Sequence, residues 1–163
     1  MDDVVAVPIY GRDMDMPNFD QNAFDSEGRH WKRVRVYYED TDFTGMVYHA
    51  NYLRFFERGR SDFLRDAGVS HVSLLERDDP AAFTIIRAEI DFKAAARIDD
   101  TLDIVTTYGG AAGAEIFFSQ KCFRGETLIA GVEITAVQIH ADGRPRRLIA
   151  ELVDRLARIA SLP

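Results

Sequence analysis

One segment with helical periodicity, from about Asn51 to Ala67, most constrains the fold of this chain. Its polar residues form a single stripe, at positions Arg54, Glu57, Arg58, Ser61, Asp62 and Arg65. Apolar residues occupy the rest of the surface, at Tyr52, Leu53, Phe55, Phe56, Phe63, Leu64 and Ala67. An apolar arc of this width needs cover on most sides. The pattern predicts a helix that the rest of the chain largely encloses, with Gly68 just beyond its end.

Segments typical of β-strands flank this helix. The first, at 32–38, alternates so that Val34 and Val36 share one face. Four more follow the helix, at about Ala82–Phe92, Thr101–Tyr108, Glu115–Phe123 and Thr127–His140. A tight hairpin turn at 124–126 and a looser turn at 109–113 make the neighbouring strands antiparallel. A turn then leads to Pro145, where we predict the start of a short amphipathic helix with apolar positions from Leu148 to Ile159.

These elements predict an α+β fold in which one antiparallel five-stranded sheet wraps around the long helix. Five strands are too few for a closed sandwich, so the sheet leaves an edge or a face that needs cover. We therefore expect a homodimer or a homotetramer. The length of 163 residues suits one domain with a sizeable core.

The net charge of −7 lies mostly at the N-terminus, where residues 1–30 contain seven acidic and two basic residues. We predict an acidic extension over 1–30, which we expect to be flexible, and a nearly neutral domain over 31–163. An acidic chain lacks the lysines and arginines with which proteins bind nucleic acid, so we expect no nucleic-acid partner.

Three further features of the sequence predict where in the cell the protein is located. A single cysteine, Cys122, excludes an internal disulfide, and the sequence has no Cys/His cluster of the kind that binds zinc. The N-terminus has no basic region followed by an apolar run, so we expect no signal peptide, and no apolar stretch is long enough to cross a membrane. We therefore expect a cytoplasmic protein that does not span the membrane.

The loop that leads into the long helix contains the residues with the most chemical potential. Helix N-termini present unpaired N–H groups and partial positive charge, and here they begin near His49, a suitable place to stabilise an oxyanion. Gly45 permits a sharp turn and a close approach to a ligand. Across that turn, Asp42 could act as a general base or a nucleophile, while His49 could position water, keep Asp42 charged or transfer a proton.

The residues alone leave simpler interpretations open. Asp42 could be turn chemistry, as we expect of Glu39 and Asp40, and His49 a loop histidine that donates to a carbonyl. Asn51 would most simply be the N-cap of the helix. A metal site built from Glu39, Asp40, Asp42 and His49 is disfavoured, because no second histidine lies close in sequence. We predict no metal and no cofactor.

The stretch "RVYYEDTDFTGMVYHANYLRFFERGR" resembles the signature of the 4-hydroxybenzoyl-CoA thioesterase family, in particular its YbgC-like acyl-CoA thioesterase branch. The matching elements, at the family's spacing, are Arg35-Val36, Thr41-Asp42, Gly45, Val47, His49 and Tyr52. The resemblance continues through "AEIDFKAAARIDDTLDI" and "VEITAVQIHADGRPRRL", and it covers about 31–160. It implies the hotdog fold, assembly into dimers or tetramers, and hydrolysis of an acyl-CoA to a free acid and CoA.

The resemblance also implies roles for individual residues. The catalytic aspartate corresponds to Asp42 and the branch's histidine to His49, whose backbone N–H is the implied donor to the thioester carbonyl. We assign Gly45, Tyr48 and Asn51 to substrate binding. Where one branch has arginines for the CoA phosphates, this chain has "GGAAG" at 109–113. The candidate replacements are Lys93 and Arg97, followed by Arg144, Arg146 and Arg147.

The leading hypothesis is therefore an acyl-CoA thioesterase. Two other classes remain open: a hotdog hydratase or dehydratase that acts on acyl thioesters, and a non-catalytic module that binds acyl-CoA or acyl carrier protein. Acyl carrier protein is also an alternative to CoA as the carrier of the substrate. An intact Asp42–His49 pair favours the enzyme, because binding alone does not need a base.

Overall fold

The computed structural model describes residues 23–161, and within them six strands form one antiparallel sheet. The strands are β1 (Ala23–Phe24), β2 (His30–Arg35), β3 (Ala81–Phe92), β4 (Thr101–Ala112), β5 (Glu115–Arg124) and β6 (Thr127–His140). Their order across the sheet is β1-β2-β4-β5-β6-β3. β3 therefore pairs only with β6 and forms one edge of the sheet.

Three α-helices accompany the sheet in the described residues. They are α1 (Asn51–Asp66), α2 (His71–Leu75) and α3 (Ala150–Ala160). None of them combines the length and the apolar character that crossing a membrane would require. The predicted enclosed helix is confirmed as α1, whose Phe55, Phe56 and Phe63 are fully buried.

Gly59 sets how closely α1 approaches the sheet. A Cβ added to Gly59 would lie 2.8 Å from Cγ2 of Ile104 on β4. Real Cβ atoms essentially never approach that closely, so the hydrogen of glycine is what fits between helix and strand at this position. The buried aromatic side chains of α1 thereby pack directly on the apolar face of β2, β4 and β5.

The hotdog architecture is confirmed, but the predicted number of five strands is wrong by one. β1 is the additional strand, and Ala23 and Phe24 pair with Trp31 and His30. Two residues are too few to show alternation in a sequence. Of the predicted extension over 1–30, residues 1–22 lie outside the described residues, whereas 23–30 form β1 and the turn into β2.

Other predicted boundaries also differ. The first main strand ends at Arg35, and Tyr38–Asp40 form a 3-10 turn instead of its continuation. The loose turn predicted over 109–113 is wrong, because β4 continues to Ala112 through a bulge after Tyr108. The last helix begins at Ala150 rather than at Pro145, whose backbone bridges to Ile139. Short helix α2 was not predicted.

The edge strand β3 leaves much of its apolar surface in contact with solvent. Its central residues from Thr84 to Glu89 are all exposed. Ile85 and Ile86 are 43% and 56% exposed, and Phe92 at the strand's end is 47% exposed. An exposed apolar edge with unpaired backbone groups is a template for a further strand.

A buried histidine links β2 to the end of α1. His30 is fully buried, and its Nε2 lies 2.7 Å from Oδ2 of Asp66. The second ring nitrogen, Nδ1, is buried without a hydrogen-bond partner, and the ring contacts Phe24 and Phe63 edge-on. Burial lowers the pKa of His30 below its ordinary value of 6.5, although Asp66 opposes that shift.

We expect this histidine to make the fold sensitive to mild acid. Because the pKa of His30 is lower in the folded chain, the unfolded chain binds the proton first as the pH falls. The stability is therefore fully present above about pH 6.5 and declines below it, by at most about 1.4 kcal/mol per pH unit. Denaturant unfolding at about pH 7.5 and about pH 5 measures this loss, which His30→Phe should reduce.

The matched control is His140→Phe, since His140 is partly exposed and shows no comparable burial. The described carboxylates with lowered pKa lose their contribution only near and below their ordinary value of 3.8, outside this pH window. Equal acid sensitivity in wild type and His30→Phe would contradict the assignment.

Candidate active site

A tight turn between β2 and α1 positions the predicted catalytic aspartate. The N–H of Asp42 donates to the carbonyl of Met46, and the N–H of Gly45 donates to the carbonyl of Asp42, both at 3.0 Å. Gly45 has φ +76°, a left-handed conformation that side chains other than hydrogen disfavour. The predicted sharp turn at Gly45 is confirmed, and it presents Asp42 and Thr44 on an exposed tip.

Thr44 holds one oxygen of the Asp42 carboxylate. Oδ1 accepts hydrogen bonds from the Thr44 hydroxyl at 2.5 Å and from the Thr44 N–H at 2.8 Å. These bonds, with a smaller contribution from His49, lower the pKa of Asp42 below its ordinary value of 3.8. The side chain is thus a charged carboxylate at neutral pH, with Oδ2 unoccupied by any described residue.

The N-terminus of α1 has no side-chain cap. The N-cap residue is Ala50, so the prediction that Asn51 caps the helix is wrong. Asn51 is instead buried at the first helical position, and its side-chain amide reaches the carbonyl of Glu39 at 3.5 Å. Among the described residues, no acceptor receives the N–H groups of His49 or Ala50. These donors remain available to an external oxygen atom.

Asp42, His49 and Lys93 line one cleft of about 410 Å³. Its other lining residues are Met46, Val47, Tyr52, Phe92, Ala94 and Ala95. The cleft is open to solvent, and part of its wall is formed by the end of β3 and the residues after it. The structure therefore brings together three of the predicted site residues.

The other predicted site residues flank the cleft instead of lining it. Gly45 shapes the turn, and the exposed ring of Tyr48 lies 4.4 Å from that of His49. Arg97 is exposed, and its backbone bridges to Met46 beside the turn. Arg144 and Arg146 are engaged with Asp142 and Asp79 beyond the start of β3, far along the strand from the cleft.

Apart from Lys93, the wall formed by residues 92–95 was not predicted from the sequence. Phe92 was placed in a strand, and Ala94 and Ala95 carried no chemical signal of their own. In the run "FKAAA", the small side chains of Ala94 and Ala95 follow the large ring of Phe92. Their small size leaves space in front of the helix. Tyr52 was assigned to the core, and its hydroxyl accepts from the N–H of Ala96, which fixes this wall to α1.

The arrangement suits acyl transfer to water. Asp42 and His49, whose backbone N–H has no acceptor among the described residues, line the same cleft. A carboxylate beside an unpaired donor is the combination that activates water and stabilises a tetrahedral oxyanion. Over residues 23–161, the structure places no three His, Cys, Asp or Glu side chains so that they could hold a metal ion.

The prediction that Asp40 stabilises a turn agrees with the structure, since its Oδ2 accepts a hydrogen bond from the N–H of Tyr37 at 2.8 Å.

Comparison with known proteins places this site in a family. The model of the thioesterase-like superfamily matches residues 36–163. The chain is 42% identical to acyl-CoA thioesterase YbgC from Haemophilus influenzae over 108 residues. The matched region covers 65% of this chain and 79% of that protein. It is 36% identical over 124 residues to acyl-CoA thioester hydrolase YbgC from Escherichia coli O6:H1, over 72% of this chain and 91% of that protein.

Solved structures agree with these matches. A probable thioesterase from Bartonella henselae superposes with a TM-score of 0.72 at 41% identity, over 74% of this chain and 99% of that one. A mutant 4-hydroxybenzoyl CoA thioesterase complexed with 4-hydroxybenzoyl CoA has the same fold, with a TM-score of 0.72 at 19% identity, over 78% of this chain and 98% of that one. The resemblance predicted from the motif is confirmed: this chain belongs to the thioesterase-like superfamily, and within it to the YbgC-like branch.

Proposed function

We propose that this protein is an acyl-CoA thioesterase that hydrolyses its substrate to a free carboxylic acid and CoA in the cleft at the start of α1. The observation that carries the proposal is that Asp42 and His49 line one open cleft, where the backbone N–H of His49 has no acceptor among the described residues. The activity named for its YbgC relatives supports it. We also propose a cytoplasmic location, because a CoA ester as substrate and a free, buried Cys122 are both compatible with the reducing cytoplasm.

The reaction follows from this geometry. The thioester carbonyl oxygen accepts from the N–H groups at the start of α1, where the helix dipole favours negative charge. Oδ2 of Asp42 takes a proton from water, and the water oxygen forms a bond to the carbonyl carbon. The tetrahedral intermediate then breaks its C–S bond, and the CoA thiolate leaves and takes up the proton. His49 positions the water and the carboxylate.

The CoA portion extends over the exposed rim of the cleft. Lys93 is exposed there, and its Nζ is 4.0 Å from the nearest carboxylate oxygen, of Asp91, so its charge is only weakly neutralised. Arg97 is exposed on the same side, beside the turn that contains Gly45. Both cations suit contacts with the phosphates of CoA.

A second copy of the chain completes this site in our proposal. The end of β3 lines the open cleft, and β3 is the edge strand whose Ile85 and Ile86 are exposed. Pairing of two β3 strands around a two-fold axis would join the sheets, bury these side chains and cover the cleft. We therefore propose a homodimer formed through β3.

Removal of the base should silence the enzyme. We expect Asp42→Asn to lower kcat by about 10²–10⁴, because a positioned general base contributes that much, while the melting temperature stays near that of wild type. A thiol-release assay over acyl-CoAs of graded length measures the rate. Asp78→Asn, on an exposed loop away from the cleft, is the matched control. Wild-type turnover by purified Asp42→Asn would exclude Asp42 from catalysis.

Thr44 should act as a positioning residue. Without its hydroxyl the carboxylate loses the shortest of its hydrogen bonds, so we expect Thr44→Val to lower kcat about tenfold with little change in KM. The pKa of Asp42 should also rise towards its ordinary value, which moves the acidic limb of the pH–rate profile upwards. Thr44→Ser keeps the hydroxyl and should restore both. A loss confined to KM, or no rescue by serine, would contradict this role.

The dimer can be tested by charging its proposed interface. Ile86→Arg would place two like charges near the two-fold axis, so we expect a monomer by analytical ultracentrifugation. We also expect a lower kcat/KM, because the cleft stays open. Val72→Arg changes an equally exposed apolar residue on α2 and serves as the control. A monomeric wild type, or a dimer that tolerates Ile86→Arg, would refute the interface.

A further inference from the structure

A small ladder of backbone contacts supports the turn that contains Asp42. Thr41 and Val47 form an antiparallel bridge, and the N–H of Asp42 donates to the carbonyl of Met46 at 3.0 Å. The two arms of the turn are thereby held together just below its exposed tip. The position of Asp42 therefore depends on what holds the second arm, which consists of Met46 and Val47.

The second arm is bound on its other side by a segment that follows β3. The carbonyl of Ala96 accepts from the N–H of Val47 at 2.9 Å, and Arg97 forms an antiparallel bridge with Met46. Ala96 is fully buried, and Val47 is 6% exposed. We call Ala96 and Arg97 the supporting segment, because the turn lies against it.

Tyr52 connects the supporting segment to α1. It is the second residue of α1 and is 3% exposed. Its hydroxyl accepts a hydrogen bond from the N–H of Ala96 at 3.3 Å in the buried interior. The ring contacts those of Phe55 and Phe92 edge-on, which fixes the orientation of the side chain. Ala96 is therefore bonded to the helix through its N–H and to the turn through its carbonyl.

Arg124 restrains the neighbouring residues from the sheet. Its Nη1 donates to the carbonyl of Ala95 at 3.1 Å and to Oδ2 of Asp100 at 2.8 Å. This contact relates the chain beside the supporting segment to β5, whereas the Tyr52 hydroxyl relates the segment to α1. The Tyr52 contact is the one that concerns the start of the helix, where the proposed oxyanion donor lies.

The proposed reaction makes that relation important. It needs the Asp42 carboxylate and the N–H of His49 at a fixed separation, because a displacement of about 1 Å can lower the rate of an enzyme about a hundredfold. The N–H of Asn51 donates to the carbonyl of Tyr48 at 2.8 Å, so His49 lies in a turn continuous with the helix. Asp42 lies outside that turn. A link from α1 to Asp42 that does not run along the chain restricts their relative motion.

We propose that Tyr52 is a positioning residue: its hydroxyl, through Ala96 and the second arm of the turn, sets the place of the Asp42 carboxylate relative to the N–H of His49. The inference rests on the proposed function. Thr44 orients the carboxylate within the turn, and Tyr52 places the turn as a whole against α1.

The structure separates this role from proton transfer. The described partner of the Tyr52 hydroxyl is the backbone of Ala96, whereas the described partner of the Asp42 carboxylate is Thr44. Burial raises the pKa of Tyr52 above its ordinary value of 10, so the side chain is uncharged at neutral pH. It therefore has no charge with which to act on Asp42 at a distance.

Kinetics of Tyr52→Phe test the role, because phenylalanine keeps the ring and removes the hydroxyl. We expect kcat for acyl-CoA hydrolysis to fall about tenfold with KM within about twofold of wild type, since the carboxylate is displaced while the wall of the cleft remains. The matched control is Tyr108→Phe, which removes a partly buried hydroxyl on β4 and should keep the wild-type kcat. A wild-type kcat in Tyr52→Phe, or a loss confined to KM, would overturn the proposal.

A double-mutant cycle shows whether the effect runs through Asp42. The residual rate of Asp42→Asn comes from substrate binding and the oxyanion donors. Because no base is left to position in that background, Tyr52→Phe should lower the residual rate by less than about twofold. A tenfold loss in both backgrounds would show that the hydroxyl acts independently of Asp42, against the proposal.

The pH–rate profile distinguishes Tyr52 from Thr44 and from a proton donor. Both hydrogen bonds from Thr44 to Asp42 remain in Tyr52→Phe, so the acidic limb should stay at its wild-type position. Loss of a basic limb that wild type possesses would identify the hydroxyl as a proton donor and overturn the positioning role.

Amide hydrogen exchange followed by NMR tests the link without catalysis. In Tyr52→Phe the N–H of Ala96 loses its acceptor, so we expect exchange at Ala96 and Val47 to become at least about fivefold faster, with exchange at Ile116 on β5 unchanged. Faster exchange in a protein whose wild type hydrolyses no acyl-CoA would refute the thioesterase proposal and leave the link intact. Hydrolysis by wild type with unchanged exchange in Tyr52→Phe would do the reverse.

Discussion

The packing of α1 against the sheet is the constraint on which the rest of the structure depends. Gly59 allows the helix axis to come close to Ile104, and three fully buried phenylalanines fill the space on either side. A helix held in this way cannot shift along its axis without opening cavities in the core. Its N-terminus is therefore fixed relative to the turn that contains Asp42, although that turn itself is exposed.

The N-terminus of the helix, where we propose the chemistry, differs from its C-terminus in how its backbone groups are satisfied. A side-chain cap would have satisfied the first N–H groups of α1, but alanine stands at the N-cap and cannot do so. The resulting donors are a cost to stability that a substrate oxygen can offset. At the end away from the proposed site, His30 and Asp66 connect the last turn of α1 to β2 and hold the helix there.

How much could be predicted from the sequence depended on the length of the signal. The helix and the four strands that follow it extend over ten residues or more, and the motif around Asp42 and His49 was specific enough to indicate the family. β1 and α2 were missed because two and five residues carry too little periodicity. The cap at Asn51 failed because a polar residue at a helix start can also be buried by a neighbouring loop, here at Glu39. The wall formed by Phe92 and the alanines after it depends on the path of the chain in space, which spacing alone does not encode.

The two edges of the sheet differ in a way that bears on assembly. β3 offers twelve residues along one edge, whereas β1, at the opposite edge of the described sheet, offers two. When an edge strand pairs with the same strand of a second copy, the unpaired backbone groups of both molecules are satisfied at once. On the far side, β1 covers only His30 and Trp31 of β2, so the template there is shorter than β3 and less suited to repeated end-to-end addition of sheets. The unequal edges thus favour a closed pair over a growing filament, and they protect an apolar edge from aggregation.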